Sequence, residues 1–430
     1  MGVSTSSAAA KKEKALDKVE NEMVMFSKNF LIQIKGGTLT KIIERCTNES
    51  APENSFMDTF LLTYRTYISP SELMDQLFER YNSPIPEVPE DVDPFAYQEA
   101  KKIIRLRVGN LLKRWLSNHF HDFNENDELL KKLASYVEKT FSLNEKNLAS
   151  TIIQLSSQKN QTEMTASTVY GAKPPAPIVP KSVIILDMDP TEISRQLCLF
   201  EQNLFKKIHP KECLNQAWNK VERAERAPHI IQMIEHFNKV GRWVVYEIIN
   251  QANIANRVKV MKHFIKVAIK CREYNNFNGC QEIIAGFGSS AVYRLHKSWG
   301  KLNKNEKQLI AQFNAIKETM SNNKSYNRYR TELKHINPPC VPYLGVFLTD
   351  LTFIEEGNPD YLATVDGRND IINFDKMRKV AAVIEKILIY QPVSYNFEKV
   401  NVIYEHLQNS LSEMDEKSAF DISRQLEPKE

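Results

Sequence analysis

The sequence lacks the features that mark several large classes of protein. Its 430 residues include six cysteines, but there is no CxxC pair and no cysteine close to a group of histidines. This spacing argues against a zinc site and against the disulfide framework of a secreted protein. No apolar run is long enough to cross a bilayer, and no secretory signal is present. We therefore expect a cytoplasmic protein.

Charge of one sign is also missing. The formal net charge is +4 and the charges are spread along the chain, so there is no basic stripe that could follow a phosphate backbone. We predict no nucleic-acid partner. An apolar content of 42% and a charged content of 26% are typical of a soluble globular chain, and the length favours two domains over a single core.

The motifs of common catalytic sites are absent as well. The sequence has no GxxxxGK[ST] phosphate loop, no GxGxxG after a strand, no HExxH and no GxSxG. The nine histidines are dispersed, and the nearest pair, His119 and His121, would point apart if both lay on one helix. We predict that the chain has no nucleotide site, no cofactor and no metal site of its own.

What the sequence does contain is helical periodicity. Apolar residues recur at i, i+4, i+7 and i+11 in two stretches: Ile104, Val108, Leu111 and Trp115, then Ile193, Leu197, Phe200 and Leu204. The segments SPSE at 69–72 and DPTE at 189–192 each predict a helix start, with a capping residue followed by proline. The best strand candidate is KSVIIL at 181–186, which also fits a short extended linker. The prediction is an all-α fold.

A change of composition divides the chain. Residues 156–181 pass from Ser, Gln, Asn and Thr into GAKPPAPIVPK, which has too little apolar content to order itself. We predict two helical domains, of which the second is the larger. The predicted boundaries are a disordered leader at 1–19, a first domain at 20–155, a linker at 156–185, a second domain at 186–425 and a tail at 426–430.

The first residues suggest a lipid anchor. Met1-Gly2-Val3-Ser4-Thr5-Ser6 matches the N-myristoylation pattern, and Lys11, Lys12 and Lys14 follow. A disordered leader rich in Ser and Ala is the alternative interpretation. Since one myristoyl chain anchors only marginally, a second signal would be needed.

The segment VPYLGVFLTDLTFIEEGNPDY at 341–361 has unusual chemistry for a buried helix. Leu344, Leu348, Thr352 and Glu356 fall four apart, so one face changes from apolar to hydroxyl to carboxylate before Gly357 ends the helix. A carboxylate at a helix C-terminus is opposed by the helix dipole. A solvated helix end would explain it, and so would a wedge that places negative charge in a partner's anion site.

Four ordered blocks give the chain a specific resemblance. They are DPTEISRQLCLFEQNLFKKIHPKECLNQAW at 189–218, FIKVAIKCREYNNFNGCQEIIAGFGSSAVYRL at 264–295, INPPCVPYLGVFLTDLTFIEEGNPD at 336–360 and IINFDKMRKVA at 371–381. The second domain resembles the catalytic domain of Ras guanine nucleotide exchange factors of the Sos and Ras-GRF type. The first domain, through GTLTKIIERCT at 37–47 and FLLTYRTYISPSELMDQLFERY at 60–81, resembles the Ras exchanger motif that accompanies it.

The resemblance implies that the larger domain carries a protruding helical hairpin, and it implies a mechanism. In this family a helical hairpin inserts beside the nucleotide of a small GTPase and takes the place of magnesium and phosphate. Carried over by position, Glu356 is the glutamate that accepts hydrogen bonds from the freed groups, and Thr349 and Asn358 face the GTPase. Thr352 stands where Sos-like members have a leucine that crowds the metal. The second helix of the hairpin should begin near Asp375, and the first domain should brace the hairpin through its apolar face.

Further positions are implied to bind the GTPase or to support the base of the hairpin. They are Tyr293, Tyr326, Tyr343, Gly288, Gln281 and Glu235. Two of them depart from the family: Gly288 replaces an asparagine and Glu235 an arginine of Sos. Tyr293 and Tyr343 could equally be packing residues.

The implied partner is a Ras-family small GTPase at the inner face of the plasma membrane. FIEEGNPD resembles the Ras-directed hairpins, whereas Rap- and Ral-directed relatives tend to have Leu-Asp there, so we prefer Ras over Rap. Exchange breaks no covalent bond, which agrees with the lack of catalytic motifs. Alternatives are an exchanger directed at Rap, a scaffold of the same fold without exchange activity, and an unrelated helical hydrolase.

Overall fold

The computed structural model describes most of the chain. The described residues are 23–28, 31–49, 53–85, 93–124, 126–141, 145–157, 167–168, 173–364, 367–409, 411 and 414–428. The structure is 70% helical, which confirms the all-α prediction. None of the described helices combines the length and the apolar character that a bilayer span requires. Gly2 and the three lysines that follow it lie outside the described residues.

The chain divides into two compact units. Unit 1 comprises residues 1–158 and 354–381, and unit 2 comprises residues 159–353 and 382–430. The predicted hairpin therefore contributes to both units, because its helices begin and end in unit 2 and its tip belongs to unit 1.

Unit 1 begins with seven helices. They are α1 (Leu39–Cys46), α2 (Asn54–Thr63), α3 (Pro70–Asn82), α4 (Pro94–Asn118), α5 (His121–Asn124), α6 (Asp127–Tyr136) and α7 (Lys146–Ser156). A 3-10 turn at Tyr64–Thr66 follows α2, and a π-helical turn at Val137–Phe141 follows α6. The predicted stripe on α4 is confirmed, since Ile104, Val108, Leu111 and Trp115 are all buried. The apolar faces of these helices enclose one continuous core.

A small sheet in unit 1 was missed by the sequence analysis. Strands β1 (Met23–Lys28) and β2 (Leu31–Gly37) form an antiparallel pair, and β2 also pairs with β4 (Ile372–Asn373), so the order is β1-β2-β4. At the narrow β2-β4 contact, a Cβ at Gly36 would lie 2.3 Å from the carbonyl oxygen of Ile372. A side chain at Gly36 would therefore push the two strands apart.

Thirteen of the described helices begin in unit 2 or continue into it. They are α8 (Pro190–Lys206), α9 (Arg223–Arg226), α10 (Pro228–Ile249), α11 (Ile254–Glu273), α12 (Phe277–Gly288), α13 (Ser290–Tyr293), α14 (His296–Asn305), α15 (Lys307–Thr319), α16 (Asn327–Leu333), α17 (Leu344–Gly357), α18 (Phe374–Leu388), α19 (Asn401–Asn409) and α20 (Glu416–Leu426). Of these, α17 and α18 cross into unit 1. Short 3-10 turns lie at Pro210–Cys213 and Ala217–Asn219, and a two-residue parallel pair joins β3 (Ser167–Thr168) to β5 (Val393–Ser394).

Both predicted helix starts are confirmed. Ser69 accepts a hydrogen bond from the backbone N–H of Glu72, whose carboxylate accepts one from the N–H of Ser69, so α3 has a complete capping box. Asp189 caps α8 by accepting from the N–H of Thr191. Glu192 does not complete a second box, because its carboxylate instead accepts from the backbone N–H of Ile178.

Two local predictions were wrong. KSVIIL at 181–186 forms bends and turns instead of a strand, and the side chain of Ser182 donates to Asp187, which favours a turn. His119 and His121 do not share a helix, because His119 caps the end of α4 and His121 begins α5. The chain reverses between them, so their ring centroids lie only 6.0 Å apart.

Candidate functional site

Helix α17 is anchored near its start by residues of unit 2. The backbone N–H of Tyr343 donates to the buried hydroxyl of Tyr329 over 2.9 Å. About two turns after Tyr343, the guanidinium of Arg330 donates to both carboxylate oxygens of Asp350, at 2.6 and 2.7 Å. A two-point contact of this kind fixes direction as well as distance, so it restricts rotation of α17 about its axis.

The last turn of α17 carries two adjacent glutamates and no basic residue. The helix dipole opposes both carboxylates. Glu355 is compensated by a lysine from α18, because the Nζ atom of Lys376 lies 2.5 Å from its carboxylate and 2.6 Å from that of Asp360. Burial opposes the charge on Lys376, but the two carboxylates outweigh it and raise its pKa. This ion-paired group holds the end of α17 against the start of α18.

Glu356 differs from Glu355 in its exposure and in its lack of a partner among the described residues. Its side chain is exposed, and it makes no hydrogen bond or ion pair with any residue that the structure describes. Because Lys376 is already paired with Glu355 and Asp360, the nearby cation is not available to neutralise Glu356. The end of α17 therefore presents one carboxylate with all its lone pairs free for a partner.

The hydroxyl groups on the same face of α17 are already used. Thr349 donates to the carbonyl of Gly345 over 2.8 Å, and Thr352 donates to that of Leu348 over 2.9 Å. Thr349 is exposed and Thr352 is half-buried. Each threonine therefore presents a methyl group and an acceptor oxygen, not a free donor.

Asn358 closes the hairpin from within. Its side-chain amide donates to the carbonyl of Ile354 over 2.8 Å, and its side-chain oxygen accepts from Lys379 over 2.8 Å. It therefore satisfies a carbonyl at the end of α17 and links it to α18. This geometry gives Asn358 a structural role in addition to the contact role that the resemblance implies.

The tip of the hairpin packs into the core of unit 1. Phe374 stacks on Phe56 with ring centroids 4.1 Å apart, and Met377 is buried in the same core. The β2-β4 pairing adds backbone hydrogen bonds, and Tyr361 meets Tyr67 edge to face at 5.7 Å. The expectation that the first domain braces the hairpin through its apolar face is confirmed. The second helix begins at Phe374, one residue before the predicted Asp375.

Two of the predicted tyrosines are brought together in unit 2. The rings of Tyr326 and Tyr343 lie 6.1 Å apart, and Tyr343 also packs on Phe237 at 5.5 Å. Burial, with a smaller effect from Tyr326, raises the pKa of Tyr343 to about 12. Tyr326 has a φ of 61°, and Lys324 and Ser325 before it are also in the left-handed region. This strained backbone places the Tyr326 ring beside the start of α17.

Gly288 and Tyr293 share a second location in unit 2. Both line a cavity of about 600 Å³, together with Phe287 and Trp299. Tyr293 is 69% exposed, and no atom lies within 4 Å of a Cβ built on Gly288. An asparagine would therefore fit at 288, and the glycine leaves the cavity wider than the family pattern does.

The other two predicted contact residues lie on neighbouring helices that pack together. Glu235 is exposed on α10, and Gln281 is half-buried on α12. The Oε1 atom of Gln281 is buried and has no hydrogen-bond partner among the described residues. The structure thus brings Tyr326 close to Tyr343 and places Gly288 and Tyr293 on the wall of one cavity. Glu235 and Gln281 belong to neither group.

Some residues of the site were missed by the sequence analysis. Phe353 is 67% exposed on α17, one turn after Thr349 and adjacent to Thr352. The sequence did offer a signal for it, because Phe353 is a large apolar residue that does not lie on the stripe begun by Leu344 and Leu348. The pairing of Lys376 with Glu355, and that of Arg330 with Asp350, had no local signal, because the partners are about twenty residues apart.

A buried polar group was also missed. Glu201, His236 and Glu282 lie on three different helices of unit 2, and one ligand atom from each lies within 4.8 Å of the others. The spacing of ligands within one short segment of sequence cannot reveal this group, because its members meet only through the packing of α8, α10 and α12.

Comparison with known families identifies the class of protein. Residues 192–378 match the RasGEF domain, and residues 33–136 match the RasGEF N-terminal motif. The two matches together span more than half of the chain, which belongs to the family of Ras guanine nucleotide exchange factors. Members of this family regulate GTPases.

Curated relatives agree with this assignment. The chain is 36% identical over 413 residues to Ras guanine nucleotide exchange factor P of Dictyostelium discoideum, which covers 93% of this chain and 26% of the relative. It is 35% identical over 395 residues to Ras guanine nucleotide exchange factor A of the same organism, and the match covers 89% of this chain and 62% of the relative. It is 31% identical over 405 residues to Protein son of sevenless of Drosophila melanogaster, and the match covers 86% of this chain and 25% of the relative. The chain thus spans between a quarter and 62% of the length of these relatives.

Proposed function

We propose that this chain accelerates the release of GDP from a Ras-family small GTPase, with the α17-α18 hairpin as the element that enters beside the nucleotide. The family assignment supports nucleotide exchange on GTPases of this kind. The observation that carries the hairpin mechanism is Glu356, an exposed carboxylate without a partner at the end of a helix that Lys376 and the core of unit 1 hold in place.

The chemistry follows from how a GTPase holds its nucleotide. It binds the phosphates through backbone N–H groups, a lysine and a magnesium ion. A carboxylate presented on a rigid helix can accept hydrogen bonds from those donors when the phosphates leave. Glu356 stabilises the nucleotide-free state in this way, and the bracing of the hairpin reduces the entropy lost on binding.

The direction of exchange follows from the thermodynamic linkage between nucleotide binding and exchanger binding. An exchanger that binds the nucleotide-free GTPase tightly must itself be weakened by nucleotide by the same factor. An incoming GTP therefore displaces the chain, and no covalent step is involved. Thr352 is shorter than leucine, so direct crowding of the magnesium is smaller and more of the effect depends on Glu356.

The experiment is loss of a fluorescent GDP analogue from purified Ras, Rap, Ral and Rho proteins in the presence of the chain. We expect acceleration with Ras, a smaller effect with Rap, and none with Rho. Glu356→Ala should slow exchange at least tenfold, because a charge-assisted hydrogen bond contributes about 1.5 to 3 kcal/mol. The control is Glu385→Ala, which removes an exposed glutamate from α18.

A second candidate is a scaffold that binds a GTPase without accelerating release. The observation in its favour is Thr352, whose hydroxyl is bonded to Leu348 and whose side chain lacks the bulk of leucine. The same assay separates the two candidates. A complex that forms without faster loss of GDP, in wild-type chain and Glu356→Ala alike, would favour the scaffold.

We also propose that the chain acts at the inner face of the plasma membrane. Support comes only from the pattern at Gly2 and the basic residues after it, which lie outside the described residues. Labelling with an alkyne analogue of myristate tests this, since Gly2→Ala should remove all label. Equal labelling of both chains would exclude an anchor at Gly2.

A further inference from the structure

A group of ionisable side chains lies buried in unit 2, away from the hairpin residues of the proposed function. Glu201 of α8, His236 of α10 and Glu282 of α12 are 0%, 5% and 0% exposed. The Nε2 atom of His236 lies 4.0 Å from Oε1 of Glu201, and one ligand atom from each residue lies within 4.8 Å of the others. Three helices therefore place two carboxylates and an imidazole at one point in the core.

Asn278 determines which atoms of this group remain without a partner. Its side-chain amide donates to Oε2 of Glu201 over 2.9 Å and to Oε1 of Glu282 over 2.8 Å. The remaining oxygens, Oε1 of Glu201 and Oε2 of Glu282, have no hydrogen-bond partner among the described residues, and neither does Nε2 of His236. Asn278 thus fixes the outer oxygens of both carboxylates and leaves the inner ones unsatisfied.

Such an arrangement is costly without a positive charge. An unpaired buried carboxylate loses several kcal/mol of hydration, and here two of them face each other. A shared proton could join the two carboxyl groups, but it would leave the imidazole nitrogen without a partner. A dication can bind all three.

We propose that Glu201, His236 and Glu282 bind one divalent transition-metal cation of the Zn²⁺ type. The donor set of two carboxylate oxygens and one imidazole nitrogen suits Zn²⁺, Mn²⁺ or Fe²⁺, whereas Mg²⁺ prefers oxygen ligands and retains water. Two carboxylates balance the charge of the ion. Asn278 orients the carboxylates as an outer partner, in the manner usual around metal ligands.

The position of the cation gives it a structural role. It would join α8, α10 and α12, and the residues immediately before two of its ligands, Glu235 and Gln281, are predicted to contact the GTPase. The site would therefore stabilise the surface on which unit 2 binds its partner. The metal site itself depends only on the buried group, whereas its effect on the partner-binding surface rests on the proposed function.

The first test is the metal content of the unmodified full chain, expressed in rich medium and purified without metal-affinity resin. Inductively coupled plasma mass spectrometry should find about one equivalent of Zn²⁺, Mn²⁺ or Fe²⁺ per chain. A content below about a tenth of an equivalent, with no rise in melting temperature when the chain is refolded with any of these ions, would overturn the proposal and favour a shared proton.

Variants locate the ion. Glu282→Gln and His236→Gln should each lower the bound metal at least fivefold, with circular dichroism to establish that the variants fold. The control is Glu247→Gln on α10, a half-buried carboxylate that accepts only from Trp243. Metal retained in both variants would overturn the assignment, as would a thiolate charge-transfer band in the Co²⁺-loaded chain, which would indicate the buried cysteines Cys198, Cys271 and Cys280 instead.

Discussion

Two carboxylates of unit 1 show opposite uses of negative charge. Asp122 is 2% exposed and accepts from Tyr64, Arg65 and Trp115 at 2.5 to 2.8 Å. Glu356 is exposed and has no partner among the described residues. Asp122 joins three separate segments, so its lone pairs are occupied within the fold. Glu356 makes no such contact with the described residues, so its lone pairs remain available.

The difference separates stability from function. Burial opposes the charge on Asp122, but the hydrogen bond from His121 and the charges of His121 and Arg65 hold the pKa of Asp122 well below its usual 3.8. Such a residue should affect unfolding strongly and exchange weakly, and Glu356 should do the reverse. Glu355 lies between the two, since it is half-buried and ion-paired at the end of α17.

The largest expected effect is that of Asp122→Asn. The amide replaces an acceptor with a donor that opposes Tyr64, Arg65 or Trp115, so unit 1 should lose about 4 kcal/mol of unfolding free energy. Hydrogen-exchange mass spectrometry of the full chain should show this in peptides of α4 and not in those of α11. The control is Asp58→Asn, which breaks a half-exposed pair with Arg114 and should cost less than about 1 kcal/mol. A similar small loss for Asp122→Asn would contradict the structural role.

Low pH should also reduce the stability of unit 1 through Asp122. Because the pKa of Asp122 is lower in the folded chain than the usual 3.8, its contribution is complete above that pH and is lost as the pH falls through the folded value. Protection of α4 amides, corrected for intrinsic exchange, should decline below about pH 4. In Asp122→Asn this part of the decline should be missing. An identical pH profile in both chains would exclude Asp122 as its source.

Lys376→Met should have an intermediate effect. The variant leaves Glu355 without its cation at a helix end that already opposes negative charge, so the segment 354–381 should be destabilised by about 2 to 3 kcal/mol. Faster hydrogen exchange in peptides of this segment measures the effect, and adding Glu355→Gln should recover part of it. Lys386→Met, which removes an exposed lysine further along α18, serves as the control and should change exchange little. No recovery in the double variant would show that Glu355 is not the partner that matters.

Glu356→Ala should separate the stability of unit 1 from the rate of GDP release. We expect the unfolding free energy of unit 1 to change by less than about 0.5 kcal/mol, because the side chain is exposed and unpaired. The same variant should slow GDP release at least tenfold. Hydrogen exchange and the nucleotide assay on one preparation give both values. A loss of stability comparable to that of Lys376→Met would mean that Glu356 is structural.

The smallest effect is expected for Thr352→Leu. The extra apolar group should exclude magnesium more effectively and raise the rate of exchange about fourfold, as one additional buried methylene contributes about 0.8 kcal/mol. Thr151→Leu on α7 is the control, since that hydroxyl is also bonded to the carbonyl four residues earlier. A slower rate in Thr352→Leu would assign a role to the threonine oxygen itself.

Local chemistry allowed much of this to be predicted. The helix starts at Ser69 and Asp189 and the end of α17 at Gly357 depend on residues within one turn, so they could be inferred from sequence. Strands β1 and β2 and the turn at 181–186 were missed or misassigned because short strands are specified by their pairing partners. The contact between Tyr326 and Tyr343 also required the packing of helices, because the two residues are far apart in the chain.

The sequence by itself determined which segments are helical and that a carboxylate stands at the end of α17, because periodicity, caps and breakers act over a few residues. Only the tertiary structure decided which of the two glutamates is free. Lys376 lies twenty-one residues beyond Glu355 and reaches it across the hairpin. In the same way, Glu201, His236 and Glu282 meet only because three helices pack together, since burial and ion pairing depend on distances in space.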